Sequence, residues 1–394
     1  MSARSTSTRD HDVAVLNPSD LTPDQIRAWL ALCDAHEDYV SPLLSPEFAR
    51  LAAIGRDDAR VAMISDEAGL ACAFAFYQRP LGQAWPIGAP FCDYTALVVR
   101  QDADLTLPDI LDLSGVSSFT TRTLLDPWDK FTHHRHDPVE TQVIRLGTTK
   151  PSVYLETQRQ AFPKRFKNFR RLDSRLKRTG HTVELRWGPM DAATREQLFS
   201  IKSDQFRQNG LVDILNASRS RPILDATAAS PGGFQISLWS GDKLMSGHFG
   251  LRQGGVFHPW IAGYDPEFAE YSPGNLMLMR AVAAMPEMGL ETYDLAEGHD
   301  HYKKYYTNSC RKVWSAEVTA PGAMGGLFAA GHGLWAMAGG RSATGPISRL
   351  RRRLDHSGMC EARLTARLAD LGNAIRIRRV RGADLPHESV AAAD

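Results

Sequence analysis

Net charge is the first thing this sequence lacks. Its 46 Lys and Arg stand against 45 Asp and Glu, leaving +1 over 394 residues. No global field draws such a chain to DNA or RNA. Cysteine is sparse: Cys33, Cys72, Cys92, Cys310 and Cys360 are scattered, odd in number and never in a CxxC pair. That usage fits a reducing cytoplasm and argues against a zinc site. The Ser/Thr/Arg-rich N-terminus has no apolar core of a signal peptide, so no leader is expected, and residues 1–11 are expected to be disordered. Only the stretch 321–340 combines Gly and Ala with large apolar residues over a long run. With His332 and many glycines it reads as a packing or interfacial segment, not a membrane span.

A hydrophobic content of 43% supports large cores, and the length suggests two domains. Apolar periodicity and turn residues place strands near 13–16, 60–65, 70–78, 91–99, 117–125 and 141–146, and helices at 24–35, 47–54 and 107–113. The second half opens on a basic helix from Pro163 to Arg178, with Phe166, Phe169, Leu172 and Leu176 on one face and Lys and Arg on the other. A strand at 182–187, a helix at 192–208 and a strand at 234–239 follow. Both halves then share one order: strand, helix, three strands, helix, strand. The resulting division is 12–148, 149–320 and a basic tail, 321–394, with Arg clusters at 349–353 and 376–381. The stretches 130–140 and 210–232 read as loops over a site.

The chain is organised around Gly247 to Trp314. A hairpin turns at Gln253-Gly254-Gly255; its return strand, Val256 to Gly263, carries Pro259. Tyr271-Ser272-Pro273-Gly274-Asn275 leads into an apolar helix, and strand Thr292 to Leu295 ends in a polar turn. A glycine-containing turn at a helix N-terminus makes an anion site, because the first N–H groups have no internal partner. Pro259 cannot donate to the ladder. A break there would part its strand from Thr292–Leu295 and open a notch.

These residues resemble the BioF2-like, or CelD-like, branch of the GNAT acyltransferase superfamily, related to the FemAB proteins. The likeness spans roughly residues 12 to 320. It rests on Ser41-Pro42 with Ser45-Pro46-Glu47-Phe48, on Asn168-Phe169-Arg170-Arg171, on Tyr264-Asp265-Pro266-Glu267-Phe268 with Ser272-Pro273-Gly274, and on Tyr293-Asp294-Leu295 with Tyr302-Lys303. It implies a mixed α/β fold of two tandem GNAT-like domains, each a mostly antiparallel sheet flanked by helices. It implies an acyl-CoA-dependent N-acyltransferase, acting by direct attack on an amine or amino sugar, in exopolysaccharide or envelope synthesis. One departure stands out. The family's Gln/Arg-x-x-Gly-x-Gly/Ala run is here Tyr271-Ser272-Pro273-Gly274-Asn275-Leu276, which leaves acyl-CoA, acyl carrier protein and aminoacyl-tRNA all open as donor.

Site residues follow. Ser272, Gly274, Asn275, Leu276, Ala262 and Gly263 are assigned to the donor. Glu297, His299 and His301, just past a strand end, are candidates for the base, with His258 on the neighbouring strand. Tyr302 or Tyr305 would protonate the leaving thiolate, and Asp294 would orient a neighbour. His258, Trp260, Lys303 and Tyr306 are assigned to substrate, Lys303 as the cation for a charged acceptor or a donor phosphate. The run His133-His134-Arg135-His136-Asp137 tempts a metal reading, but Pro138 disfavours a helix and adjacent histidines point apart in a strand. It reads as a polar loop, and no metal is expected. Two alternatives remain: a FemAB-like transferase using aminoacyl-tRNA through the basic helix, and a non-catalytic scaffold whose Arg-rich tail reaches a membrane or a partner. A cytoplasmic protein, in peripheral contact with membrane through that tail, is the expected setting.

Overall fold

A computed structural model of the chain describes residues 11–297, 302–337, 346–368 and 372. In chain order the elements are β1 (Asp12–Leu16), α1 (Pro23–Asp34), α2 (Pro46–Ala53), β2 (Ala59–Asp66), β3 (Gly69–Gln78), β4 (Gln83–Pro86), β5 (Thr95–Val99), α3 (Leu107–Leu113), β6 (Ser118–Leu125), β7 (Arg135–Glu140) and β8 (Val143–Arg145). Then come α4 (Pro151–Ala161), α5 (Pro163–Arg178), β9 (Val183–Gly188), α6 (Ala192–Asn209), α7 (Arg221–Ala229), β10 (Gly233–Ser240), β11 (Lys243–Gln253), β12 (Val256–Tyr264), α8 (Pro273–Ala284), β13 (Thr292–Asp294), β14 (Lys312–Thr319), α9 (Ala323–Met337) and α10 (Pro346–Cys360). Hydroxyl-proline pairs start three of the helices. Thr22, Ser45 and Thr106 accept the N–H groups of Gln25, Phe48 and Asp109, each with Pro in the first turn.

Two units result, and both are discontinuous. One draws on Met1–Gly88, Tyr94–Pro138 and Val313–Arg341, the other on Ala89–Asp93, Val139–Lys312 and Ser342–Asp394. Sequence composition suggested continuous blocks divided at 148/149 and 320/321. The strands cross those divisions instead: β8 pairs with β13 in the second sheet, and β14 pairs with β6 in the first.

The first sheet runs β1-β2-β3-β4-β6-β14-β7, with β5 also between β3 and β6. Here one strand position is shared by two short strands. β4 lies parallel to β6 at Gln83↔Ser118 and Ala84↔Phe119, and β5 does so at Thr95↔Leu124 and Ala96↔Leu125. Phe74, Phe76, Leu97, Ile110 and Phe119 form its core.

The second sheet runs β8-β13-β12-β11-β10-β9. From β9 on, its elements follow the expected order, with β10, β11 and β12 between α7 and α8, whereas the first sheet has four strands, β2 to β5, between α2 and α3. The fold is thus the mixed α/β architecture expected. α8 and α5 cover one face, burying Leu276, Met277, Phe166, Phe169 and Leu176 with Phe257 and Tyr293 of the sheet. The other face packs Trp239, Phe249 and Ile261 against Leu198 of α6 and Ile223 and Leu224 of α7.

Three local expectations change. Residues 91–94 are not strand; only Thr95–Val99 is. The apolar run leaves the first sheet because Phe91 stacks on Trp260 at 5.2 Å, and residues 89–93 belong to the second unit. The 210–232 stretch contains α7, whose Ile223, Leu224 and Thr227 are buried. The 130–140 stretch contains β7, an edge strand, where Pro138 is tolerated because one side of the ladder needs no donor.

Candidate active site

Two neighbouring parallel strands of the second sheet part company. β12 pairs with β13 only at Val256↔Thr292 and Phe257↔Tyr293, yet β12 continues to Tyr264. The cause lies on its other side. Against β11 the register shifts between Phe249↔Ile261 and Gly250↔Pro259, so Trp260 is an extra residue and β12 bends there. The crossing needs glycine at Gly250: a Cβ would sit 2.0 Å from the His258 carbonyl oxygen and 2.6 Å from Pro259 Cα. Gly250→Ala must therefore move backbone. We expect it to destabilise the protein by about 3 kcal/mol. An unchanged urea midpoint would remove the bulge from this account.

At the far end of β12 the chain turns into α8. Asp265 caps a short 3₁₀ turn, Pro266–Tyr271, by accepting the Glu267 N–H at 2.9 Å. Ser272 then adopts φ 52°, ψ 59°, a left-handed conformation costly for a residue with a Cβ. Its carbonyl accepts the N–H groups of Asn275 and Leu276. Pro273 has no N–H, and the Gly274 N–H precedes the helix's own ladder. Among the described residues of the second unit, one other non-glycine residue has positive φ: Ala296, at 57°, just beyond β13. Both strained residues therefore flank the parted strands.

Behind the gap lies a buried ion network. His258 Nε2 donates to Asp93 Oδ2 at 2.9 Å, and its Nδ1 lies 3.7 Å from Asp294 Oδ1. Asp294 Oδ1 also accepts the Ala296 N–H, and Oδ2 accepts from Arg311 Nη1. His258 and Asp294 are fully buried and Arg311 nearly so. Burial favours neutral imidazole, but Asp294 and then Asp93 outweigh it and raise the His258 pKa to about 9. Among the described residues two cations and two carboxylates meet here, brought together by strand β12, strand β13, the 89–93 segment and Arg311 just before β14.

The opposite face carries a second buried histidine. His248 of β11 meets Tyr293 of β13, Nδ1 to Oη at 2.6 Å. Burial, with Lys303 and Lys202 adding to it, lowers the His248 pKa to about 3, so the ring is neutral. Lys303 is buried too, donating from Nζ to the carbonyls of Leu295 at 2.9 Å and Glu297 at 3.0 Å. It clamps the turn after β13.

The expected site residues divide accordingly. Ala262 and Gly263 are half-buried on the freed part of β12, with Leu198 filling the space beside Gly263. Ser272 and Gly274 form the turn. Leu276 is fully buried in the core, so it is not a donor contact, and its bulk leaves the turn untouched. Asn275 uses both its carbonyls, backbone and side chain, as acceptors for the Tyr306 hydroxyl, at 3.0 and 3.3 Å. Tyr306 is buried, stacked on Phe169, and holds the start of α8 rather than an acceptor. His258 lies in the ion network rather than on a surface for substrate. Lys303, expected to meet phosphate, is turned onto carbonyls instead. Trp260 stacks on Phe91. Tyr302 packs beside the α8-side core, as Tyr305 does edge-on to Phe162. Asp294 orients both His258 and Arg311. Glu297 is exposed just past β13. His299 and His301 lie outside the described residues. Arg135, within the histidine run, pairs with Asp126 and covers Trp314; with His136 and Asp137 it opens the edge strand β7, while His133 and His134 stay in the turn before it.

Sequence reading missed Asp93, Arg311, His248 and Tyr293. His248 left one sign: a polar residue amid Gly247, Phe249 and Gly250 in an apolar strand. Asp93 left none, since 165 positions separate it from His258.

Residues 163–304 match the model of the acetyltransferase (GNAT) domain family. No curated protein matches the chain. Among solved structures, FemX is similar with a TM-score of 0.50 at 11% identity, over 77% of this chain and 96% of that one. A tandem GNAT protein from the clavulanic acid biosynthesis pathway gives 0.45 at 11%, over 80% and 100%. L-PGS from Bacillus licheniformis gives 0.41 at 11%, over 75% and 91%. Such identities bear on fold alone. The family match covers just over a third of the chain, and the likeness to a GNAT acetyltransferase domain is shown for this stretch.

Proposed function

We propose that the second unit is an N-acyltransferase taking its acyl group from acyl-CoA and passing it to the amine of a small acceptor such as an amino sugar. The observation that carries this reading is the parting of β12 from β13 after Phe257↔Tyr293. It frees strand N–H and C=O groups along β12 for an extended amide-bearing arm, as in strand addition. At the mouth, the Ser272-Pro273-Gly274 turn and the N-terminus of α8 suit a pyrophosphate. In the first sheet the equivalent position is paired to β6 by both β4 and β5. That contrast favours a donor site in the second unit.

The chemistry needs no covalent enzyme intermediate. The amine nitrogen attacks the thioester carbonyl to form the C–N bond, the C–S bond breaks, the amine gives up a proton to a base and the leaving thiolate takes one up from an acid. Of the two buried histidines, His258 is held as imidazolium and His248 is bound to Tyr293, so neither is the base we assign. We assign Glu297, exposed beyond β13 and held by the Lys303 clamp on its carbonyl. Tyr302 is assigned to the thiolate. Glu297→Gln is expected to lower kcat by ~10²–10⁴ with little change in melting temperature; full activity would exclude it.

The test of the whole reading is a thermal-shift screen with CoA, acyl-CoAs and UDP-amino sugars. Ligand at 100 Kd stabilises the folded state by about 2.7 kcal/mol. A rise with CoA and acyl-CoA supports the donor assignment, and no rise at saturating concentration sinks it. A second donor, RNA-borne, is favoured by one observation: α5 exposes Lys164, Arg165, Lys167, Arg170 and Arg171 along its outer face. Steeply salt-dependent tRNA binding without a CoA shift would select it.

A further inference from the structure

The ion network behind the gap has one member that reaches solvent. The His258 and Asp294 side chains are fully buried and Arg311 nearly so, but the Asp93 side chain is 39% exposed. One of its oxygens, Oδ2, accepts from His258 Nε2 at 2.9 Å. The other, Oδ1, accepts no hydrogen bond among the described residues. Both oxygens of a carboxylate are acceptors, so half the capacity of Asp93 is unused within the chain.

His258 and Asp294 directly follow Phe257 and Tyr293, the last residues that pair β12 with β13. They stand where the two strands begin to separate. Residues 89–93, part of the second unit, touch the freed end of β12 twice: Phe91 stacks on Trp260 at 5.2 Å, and Asp93 meets His258. Phe91 and Trp260 pack with Leu198 and Phe249 in the core under α6 and α7. Carboxylate and aromatic pair thus lie side by side on the α6–α7 face, at the apex of the gap, with Trp260 only half-buried. The proposed donor turn leads into α8, which covers the opposite face.

A structural role alone does not account for Asp93. Asp294 and Arg311 already balance one another, and a neutral imidazole beside them would leave the buried site without net charge. Asp93 instead helps to support an imidazolium where burial disfavours one. That imidazolium holds the carboxylate in place through Oδ2 and leaves Oδ1 for another donor. The occupant that suits a fixed, half-exposed carboxylate beside aromatic rings is a cation carrying N–H groups. A divalent metal suits it poorly, because protonated His258 has no lone pair to give and a hard cation needs about six oxygens.

We infer that Asp93 is the acceptor-amine subsite: Oδ1 accepts a hydrogen bond from the ammonium group of the incoming acceptor, half-buried Trp260 supports its carbon skeleton, and the acceptor reaches the gap from the α6–α7 face. His258 is a positioning residue that holds the carboxylate. The inference rests on the transferase reading above and narrows its substrate to primary amines that arrive protonated. The ammonium gives one proton to the base before its nitrogen attacks.

Ligand-observed NMR at pH 7 tests this with matched pairs: D-glucosamine against D-glucose, D-galactosamine against D-galactose, n-butylamine against n-butanol. At least one amine should bind about tenfold or more tightly than its hydroxyl counterpart, the range of one charge-assisted hydrogen bond. Asp93→Asn keeps an oxygen for the His258 N–H and removes the charge. It should erase that preference and raise the acceptor KM about tenfold with acetyl-CoA as donor, while the KM for acetyl-CoA and the CoA thermal shift stay native. Asp93→Glu, which keeps the charge, should retain the preference. Equal binding within all three pairs overturns the inference and needs no variant to show it. So does an Asp93→Asn protein that keeps the preference; with a lowered melting temperature as well, Asp93 would be a structural counter-ion only. An amine preference without a CoA shift would leave the subsite standing and sink the donor reading, and a CoA shift without the preference would do the reverse.

Discussion

Arg311→Met is expected to destabilise the second unit by about 3–5 kcal/mol, the largest stability effect we anticipate for any single charge in the chain. Arg311 is buried, 2% exposed. Its guanidinium is the buried partner of Asp294, and Asp294 in turn faces His258, which donates to Asp93. Removing the arginine leaves two carboxylates against one imidazolium in a site without water access to Asp294. The companion variant Asp294→Asn/Arg311→Met removes one charge of each sign. It should recover much of the loss, since the cost comes from the uncompensated charge rather than from the missing contact. Urea unfolding of the three proteins decides. Equal midpoints for native and Arg311→Met would mean the network contributes nothing.

The same network sets an alkaline limit. His258 is raised from its ordinary 6.5 to about 9. A base whose folded pKa is raised binds its proton more tightly in the folded state. Its contribution is therefore complete below pH 6.5, declines from there, and is gone once pH has passed 9. The slope in that window should approach ~1.4 kcal/mol per pH unit and should flatten in His258→Gln. His248 acts in the opposite sense. Its pKa is lowered to about 3, so the unfolded chain binds the extra proton between pH 6.5 and 3, and stability falls with acid there.

Gly274→Asp is expected to abolish the CoA-induced thermal shift and to lower kcat/KM by at least ~10²-fold, because a carboxylate then occupies the anion site at the helix N-terminus. Gly274→Ala is the control. A Cβ there would meet only Ser246 Oγ, at 3.9 Å, and the backbone conformation is an ordinary one. Alanine should leave the shift and the turnover close to native. A collapse with alanine as well would indicate a backbone requirement, and a native shift with aspartate would move the donor elsewhere.

Local signals were legible wherever one turn or one period of sequence carried them. α5 lies from Pro163 to Arg178 because Phe166, Phe169, Leu172 and Leu176 recur at helical spacing among cations. α8 starts at Pro273 because proline cannot continue the preceding turn and suits a first helical position. The return strand carrying Pro259 was readable too, and the parting of β12 begins one residue before that proline. What misled were residues whose partners lie far along the chain. Lys303 looked like a solvent-facing cation, but the turn after β13 buries it against two carbonyls. Tyr306 looked available to substrate, but α4 and α8 take both ends of it: Tyr154 donates to its carbonyl and its own hydroxyl donates to Asn275.

By itself the sequence determined α1, α2, α3, α5, α6 and α8, the hairpin and the helix-start turn at Gly274, because each depends on forces acting over a few residues. Tertiary structure alone decided which strands complete each sheet and which charges meet behind the gap. β8 has three residues, and neither its pattern nor that of β14 names a neighbour; Val143 of β8 meets Asp294 and Thr319 of β14 meets Ser118, on strands far away in the chain. The Asp93–His258–Asp294–Arg311 cluster exists for the same reason. A buried charge is tolerable only beside its opposite, and no local spacing records which distant residue the fold will bring there.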